Sequence, residues 1–297
     1  MKMPPAEIAL SVEQLASLVR AQHPDLAAAP LRQVAHGWDN VIFRLGEDLA
    51  VRLPRRAAAV DLIDHEQRWL SELALRLPAP IPVPVRHGVP SELFPWPWSI
   101  TPWYAGRPLS LVSPGDRRPY ARPLGSFLAR LHTPAPAEAP RNPVRGIPLG
   151  LRTEAFFRHL SAVPVERRPP VERLWRRLVA TSVFSGPPLW LHGDPHPGNV
   201  LVEAGRLTAV IDFGDLTAGD PATDLALGWM AFDAEARREL RTAYAGEHVL
   251  DDDTWTRARG WALALAVALI ANSDDEPVLA AVGHHALTEV LGEEDRT

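Results

Sequence analysis

The sequence predicts an α+β chain of two lobes, a small β-rich one at the N-terminal end and a larger, mostly helical one after it. Three observations carry that expectation. Two short apolar segments, Val41-Ile42-Phe43 and Leu49-Ala50-Val51, flank a Gly46-Glu47-Asp48 turn and read as a β-hairpin. Prolines then cluster at 78, 80, 82, 84, 90, 95, 97, 102 and 108, a stretch that has room only for short edge strands and reads as a hinge. From residue 119 onward, apolar positions recur mainly at helical spacing. The expected boundaries are 1–103 for the first lobe with its hinge and 104–297 for the second.

Taken in order, Ser11-x-x-Gln14 is a capping box in front of Leu15, Leu18 and Val19, so a helix starts there and stops before Pro24. A helix over 60–77 follows the hairpin, bounded by Pro54 and Pro78. Within the hinge, 83–87 and 98–101 are the expected short strands. Leu124, Phe127, Leu128 and Leu131 mark one helix, and two Arg-rich helices are expected near 152–162 and 169–183. Residues 189–214 interrupt the helices with strands at 200–202 and 207–211 around Glu203-Ala204-Gly205-Arg206. Asp220-Pro221 opens a helix with an acid cap and a first-turn proline. Helices near 234–245, 254–272 and 277–291 complete the chain, with Gly246 and Gly292 as stops.

Composition narrows the function. The 297 residues contain no cysteine, which excludes disulfides, thiolate catalysis, zinc fingers and iron–sulfur clusters. A net charge of −5 argues against a basic nucleic-acid binder. The longest apolar run, 261–271, falls short of a membrane span, and the first residues show no secretory pattern, so a cytoplasmic protein with no membrane partner is expected. Lys2 is the sole lysine, so any internal cation must be arginine. Charge is uneven: residues 106–185 carry a net +9 and residues 186–297 a net −13, and the acidic third is able to steer a cationic ligand.

The most informative stretch is Leu191-His192-Gly193-Asp194-Pro195-His196-Pro197-Gly198-Asn199, followed by Ile211-Asp212-Phe213-Gly214-Asp215. Phosphoryl transfer needs a carboxylate near the attacking hydroxyl and oxygen ligands for Mg²⁺ beside the phosphates. Asp194 and Asn199 stand five apart, the H-x-D-x-x-x-x-N spacing of kinase catalytic loops. Asp212-Phe213-Gly214 follows across one short hairpin, whose ends meet, so Asn199 and Asp212 are able to share a metal.

On these motifs the chain resembles the aminoglycoside phosphotransferase family, relatives of the protein kinases, from about residue 34 to 231. The resemblance implies a two-lobed protein-kinase-like fold and transfer of a nucleotide γ-phosphate to a small-molecule hydroxyl. It implies Asp194 as the catalytic base or hydroxyl-orienting acid, Asn199 and Asp212 as Mg²⁺ ligands, and His192 and Asp224 as braces of the loop. Arg52 and Glu66 match the family's phosphate-binding cation and its helix acid. Arg stands where several members carry Lys, and its fixed fork is able to hold phosphates in Lys's place. Gly37 sits in a single-glycine turn able to touch phosphate, and Trp98, Trp103 and Tyr104 are placed at the hinge to flank the base. Asp215 is a candidate supporting acid, and His132 matches a family position that is most often structural. ATP or GTP with Mg²⁺ are the implied cofactors. An aminoglycoside or other cationic antibiotic is the leading acceptor, with a macrolide or a sugar or amine metabolite as the alternative.

Two rival readings stand beside this one. His192, Asp194 and His196 alternate as metal ligands of a hydrolase do, which leaves Asn199 and D-F-G unexplained. A non-catalytic nucleotide-binding member of the fold would have lost the acid or a metal ligand, and here Asp194, Asn199 and Asp212 are all present. The sequence leaves the oligomeric state open.

Overall fold

The computed structural model describes residues 5–292. They form two compact units, one holding 5–75 and 80–105, the other 76–79 and 106–292. Among the described residues no helix is long and apolar enough to cross a membrane.

In the smaller unit, helix α1 (Val12–Gln22) starts at the Ser11–Gln14 capping box, with both reciprocal bonds made. Strands β1 (Leu31–His36), β2 (Asn40–Leu45) and β3 (Leu49–Pro54) run on as a meander, with Gly46 in the left-handed turn joining β2 to β3. Helix α2 (Val60–Ala74) precedes β4 (Arg86–Gly88) and β5 (Trp98–Pro102). The five strands pair antiparallel in the order β1-β2-β3-β5-β4. Alternation along β2 and β3 sends Phe43, Leu45, Val51 and Leu53 into a core with Leu15, Leu18 and Val19 of α1. Each of these fully buried side chains contributes roughly 1.5–3 kcal/mol. Arg52, between Val51 and Leu53, therefore projects from the opposite face of β3.

The larger unit is built on helices. Its elements are β6 (Arg107–Pro108), α3 (Ala121–Leu131), α4 (Thr153–Leu160), α5 (Arg168–Leu178) and β7 (Leu189–Leu191). After them come β8 (Val200–Glu203), β9 (Arg206–Val210), β10 (Thr217–Gly219), α6 (Ala222–Leu225), α7 (Leu227–Ala231) and α8 (Ala234–Ala245). The last two helices are α9 (Asp252–Asn272) and α10 (Pro277–Gly292). Helix α9 is buried around most of its circumference, and α4, α5, α6, α7 and α10 pack on it, so it is the central post of this unit. Helix α3 packs on α8, where a side chain at Gly125 would collide with the Leu240 carbonyl. The β8–β9 hairpin turns at Ala204-Gly205, both at positive φ, with β6 alongside β8, and β7 pairs with β10.

Several boundaries differ from the sequence reading. Helix α2 ends at Ala74, before 77: the Leu75 N–H bonds to the Glu72 carbonyl in a tightened last turn, and Pro78 disfavours helical backbone at the residue ahead of it. Helix α5 stops at Leu178, the last residue of its buried stripe Val171, Leu174, Trp175 and Leu178; the Thr, Ser and Val that follow are weak helix formers. Pro82 and Pro84 have no N–H for a ladder, so the edge strand forms at Arg86–Gly88 and not at 83–87. Gly246 closes α8 in right-handed backbone, and Gly292 lies within α10.

Candidate active site

Strand β7 delivers the chain into the loop 192–199, and the fold holds that loop through its backbone. Gly193 turns at φ +88°, where an L side chain is strained and a Cβ would lie 2.1 Å from the Asp215 carbonyl oxygen. The Asp224 carboxylate, at the start of the helical run after β10, accepts the N–H groups of His192 (2.7 Å) and Gly193 (2.9 Å). His192 is fully buried, and its Nδ1 accepts the Asp194 N–H at 3.2 Å. The ring proton therefore sits on Nε2, which donates to the Ile211 carbonyl at 3.0 Å and ties the loop to the residue before Asp212. The same ring packs on Phe213 of D-F-G, 4.4 Å between centroids.

The hairpin completes the frame. Val200 pairs with Val210, the Ile211 N–H donates to the Asn199 carbonyl (2.9 Å), and Asn199 Nδ2 donates to the Asp194 main-chain oxygen (3.0 Å). Asp194, Asn199 and Asp212 are thus gathered on one hydrogen-bonded frame. Asp212 is exposed and adopts φ +65°, a conformation that costs a non-glycine residue about 1 kcal/mol or more and that clusters at functional sites.

A cation beside this acid was not among the residues singled out from the motifs. Arg145 Nη2 meets Asp194 Oδ1 at 2.9 Å, and its Nε lies 3.4 Å from Asp215 Oδ2. Burial pushes the Asp194 carboxyl up, but Arg145, with His196 and His192, outweighs burial and holds the group below its ordinary value. The Asp215 carboxyl goes the other way: burial raises it, Asp194 and Asp212 add to the rise, and Arg145 opposes them without prevailing. Asn142 Nδ2 also donates to Asp215 Oδ1 at 2.8 Å.

A buried relay behind Asp224 anchors the loop further, and a buried ion pair holds the turn after β10. Asp224 Oδ2 accepts from His132 Nε2 (3.2 Å), whose Nδ1 then accepts the Tyr244 hydroxyl (2.9 Å). That hydroxyl stays protonated, because burial and the nearby Asp224 and Asp220 push its pKa far up. Asp220 accepts the Ala222 N–H and grips Arg257 by both oxygens, at 2.7 and 3.3 Å, with both side chains buried.

In the smaller unit, Arg52 Nη1 lies 2.8 Å from both carboxylate oxygens of Glu66, which interrupts the apolar stripe Ile63, Leu70 and Leu73 of α2. Both are buried, at 7% and 1% side-chain exposure, and each charge is tolerated there because the other neutralises and hydrogen-bonds it. Gly37 lies exposed in the β1–β2 turn, its N–H bonded to the Asn40 carbonyl. Trp103 carries the Arg44 guanidinium on its ring at 4.8 Å, and Tyr104 donates its hydroxyl to the Ile81 carbonyl. Trp98 is fully buried against His23, so it does not flank a base as the sequence suggested.

An amide oxygen on Asn199, whose Nδ2 is already committed, and the exposed Asp212 carboxylate are hard oxygen donors, and they fit Mg²⁺. The hydrolase reading fares worse. His196 spends its Nδ1 on the Gly198 N–H, His192 uses both nitrogens within the loop, and no cluster of three or more His, Asp or Glu among the described residues is placed to hold a metal.

The model of the phosphotransferase enzyme family matches residues 30–261, a span that takes in every side chain of this site. No curated protein matches the chain by sequence. Among solved structures, the chain is similar to the GDP and kanamycin complex of APH(2")-IIia, at 18% identity and a TM-score of 0.71 over 94% of this chain and 98% of that one. It is also similar to the macrolide 2'-phosphotransferase MphH from Brachybacterium faecium, at 22% identity and a TM-score of 0.66 over 94% and 97%. A third is the streptomycin–ATP complex of APH(2")-IIa, at 19% identity and a TM-score of 0.58 over 95% and 97%. At these identities the structures speak for the protein-kinase-like fold alone, and the family match over most of the sequence supplies the rest: the chain belongs to the phosphotransferase enzyme family.

Proposed function

We propose that the chain transfers the γ-phosphoryl group of a nucleoside triphosphate, ATP or GTP, to a hydroxyl of a small cationic antibiotic of the aminoglycoside type. The observation that carries this reading is the frame of the 192–199 loop, in which Asn199 bonds to both Asp194 and the strand leading to Asp212. Solved relatives of the same fold were crystallised with GDP and kanamycin and with ATP and streptomycin, which supports the nucleotide and acceptor classes. Trp255, Trp261 and Leu263, the residues that would line an apolar macrolide pocket, are buried in the packing of α9, and this favours the cationic acceptor.

In this reading residues 1–103, with Tyr104 just beyond them, bind the nucleotide, Arg52 on its phosphates with Glu66 fixing its fork, and Gly37, Trp103 and Tyr104 around the rest of it. Residues 104–297 carry the chemistry and the acceptor. The acceptor oxygen forms a bond to the γ-phosphorus as the bond to the nucleoside diphosphate breaks, and the hydroxyl proton passes to or is oriented by Asp194. A carboxylate held below its usual pKa is a weak base, which suits a loose transition state that asks mainly for orientation. Asn199 and Asp212 would hold Mg²⁺, which supplies positive charge to the phosphates.

The test is turnover and nucleotide titration with and without Mg²⁺. Asp194→Asn is expected to lower kcat by about 10²-fold or more, with nucleotide still bound, and Asp212→Ala to remove the Mg²⁺ dependence of nucleotide binding. Wild-type turnover by a folded Asp194→Asn protein would take Asp194 out of the mechanism. Tight metal-independent nucleotide binding would favour a non-catalytic protein.

A further inference from the structure

We propose that Arg145 is a positioning residue for the transfer: it pins one oxygen of the Asp194 carboxylate and leaves the other to orient the acceptor hydroxyl. The inference rests on the role given to Asp194 above. Arg145 lies between α3 and α4 in a proline-rich loop that matches none of the motifs read from the sequence. Its side chain is 16% exposed and reaches two acids at once, Nη2 to Asp194 at 2.9 Å and Nε towards Asp215 at 3.4 Å. Asp194 itself is 31% exposed, and its Oδ2 is 3.7 Å from His196 Nε2, so the pinned carboxylate keeps an edge towards solvent.

The loop does not need this guanidinium to stay in place. The Asn142 N–H donates to Thr217 Oγ1, the Val144 N–H to Asn142 Oδ1, and the Gly146 N–H to Thr223 Oγ1, while the Asp220 N–H donates to the Gly146 carbonyl. Gly146, at φ +67°, turns the chain so close to Leu191 and Gly219 that a Cβ there would lie 2.8 Å from the Leu191 side chain. These contacts seat the backbone of 142–146 on β7 and β10 and bring Arg145 to the loop ahead of any ion pair. With the loop anchored independently, the side chain's geometry is spent on the two acids. A cation between Asp194 and Asp215 also prevents their mutual repulsion from turning Asp194 away from the acceptor. Only a planar fork spans both carboxylates, and a lysine ammonium would reach one of them.

The experiment compares kcat, nucleotide KM and acceptor KM for the wild type, Arg145→Ala, Arg145→Lys, Asp194→Asn and the Arg145→Ala/Asp194→Asn double variant, with folding checked for each. Arg145→Ala is expected to lose roughly 10- to 100-fold in kcat, the scale of a misplaced reacting group, with nucleotide KM unchanged. Arg145→Lys should recover part of that loss. The double variant should be no slower than Asp194→Asn, because a residue acting through Asp194 has nothing left to position. Wild-type kcat in Arg145→Ala beside a disabled Asp194→Asn would overturn this inference and leave the reading of Asp194 intact. Losses that multiply in the double variant would also overturn it. Should Arg145→Ala not fold, Arg145→Gln takes its place in the same comparison.

Discussion

The Asp224 carboxylate accepts the main-chain N–H of His192 at 2.7 Å across 32 residues of sequence, so a side chain of the helical run after β10 dictates the backbone path of the candidate catalytic loop. Its other oxygen takes the Gly193 N–H, and His132 approaches the first. The carboxylate is fully buried, which makes it costly to lose. Asp224→Ala leaves two buried N–H groups and a histidine without their acceptor, and is expected to destabilise the protein by about 3–5 kcal/mol. Asp224→Asn keeps one acceptor and turns an NH₂ towards the second N–H, so its loss should be smaller but still measurable. Denaturant unfolding of both variants checks the order; equal stability for Asp224→Ala and wild type would refute it.

Gly193→Ala should abolish turnover. The residue combines φ +88° with a Cβ position 2.1 Å from the Asp215 carbonyl oxygen, so alanine meets both backbone strain and a collision with main chain. Relief requires the loop to move away from Asp215, which drags Asp194 with it. The expected result is a folded but inactive protein with a lower Tm, read by turnover and thermal unfolding. Wild-type kcat would mean that the loop adopts another path in solution.

How much of this was legible in the sequence differs by element. The capping box, the β2–β3 hairpin, the Asp194–Asn199 spacing and the β8–β9 hairpin before Asp212 are local patterns, set by residues within about one turn or one strand of each other. Arg145 was not legible. Its loop has no periodicity, and its partner lies 49 residues away, so only tertiary closure joins them. The net +9 of residues 106–185 was the one available hint, and charge alone does not single out one arginine among fourteen. Trp98 was misread because an aromatic residue in a proline-rich hinge looks the same in sequence whether it faces a ligand or the core.

Arg52 and Glu66 supply the third prediction. Arg52 Nη1 touches both Glu66 oxygens, so the acid fixes the guanidinium's orientation on the face of β3 opposite Val51 and Leu53. Arg52→Lys keeps the charge and loses the fork, and nucleotide KM is expected to rise about tenfold, the equivalent of one charged hydrogen bond of about 1.5 kcal/mol. Glu66→Gln should raise it as well, and should cost stability by leaving a buried cation without its counter-charge. Nucleotide KM unchanged in both variants would remove the pair from the nucleotide site.

The last prediction concerns the acceptor and separates acids that the sequence could only group. Asp251 caps α9 by accepting the Thr254 N–H, and Asp252 pairs with Arg241 at 2.7 Å, so the first triplet has structural roles for two of its three members. Asp251→Ala is therefore expected to cost about 1 kcal/mol of stability, the usual worth of a helix cap, with acceptor KM unchanged. Asp253 is exposed as well, and Asp274, Asp275 and Glu276, between α9 and α10, are all exposed and form the triplet whose members are given no such role, so they are the acids to test for attracting a cation. Exposed charges are screened over about 8 Å at physiological ionic strength, so acceptor KM should rise with salt in the wild type. Neutralising this second triplet to Asn and Gln should raise KM at low salt and flatten that dependence. An ionic-strength series on wild type and both variants decides the matter. A KM indifferent to salt and to the second triplet would exclude a polycation held by these residues and turn the search towards an apolar acceptor.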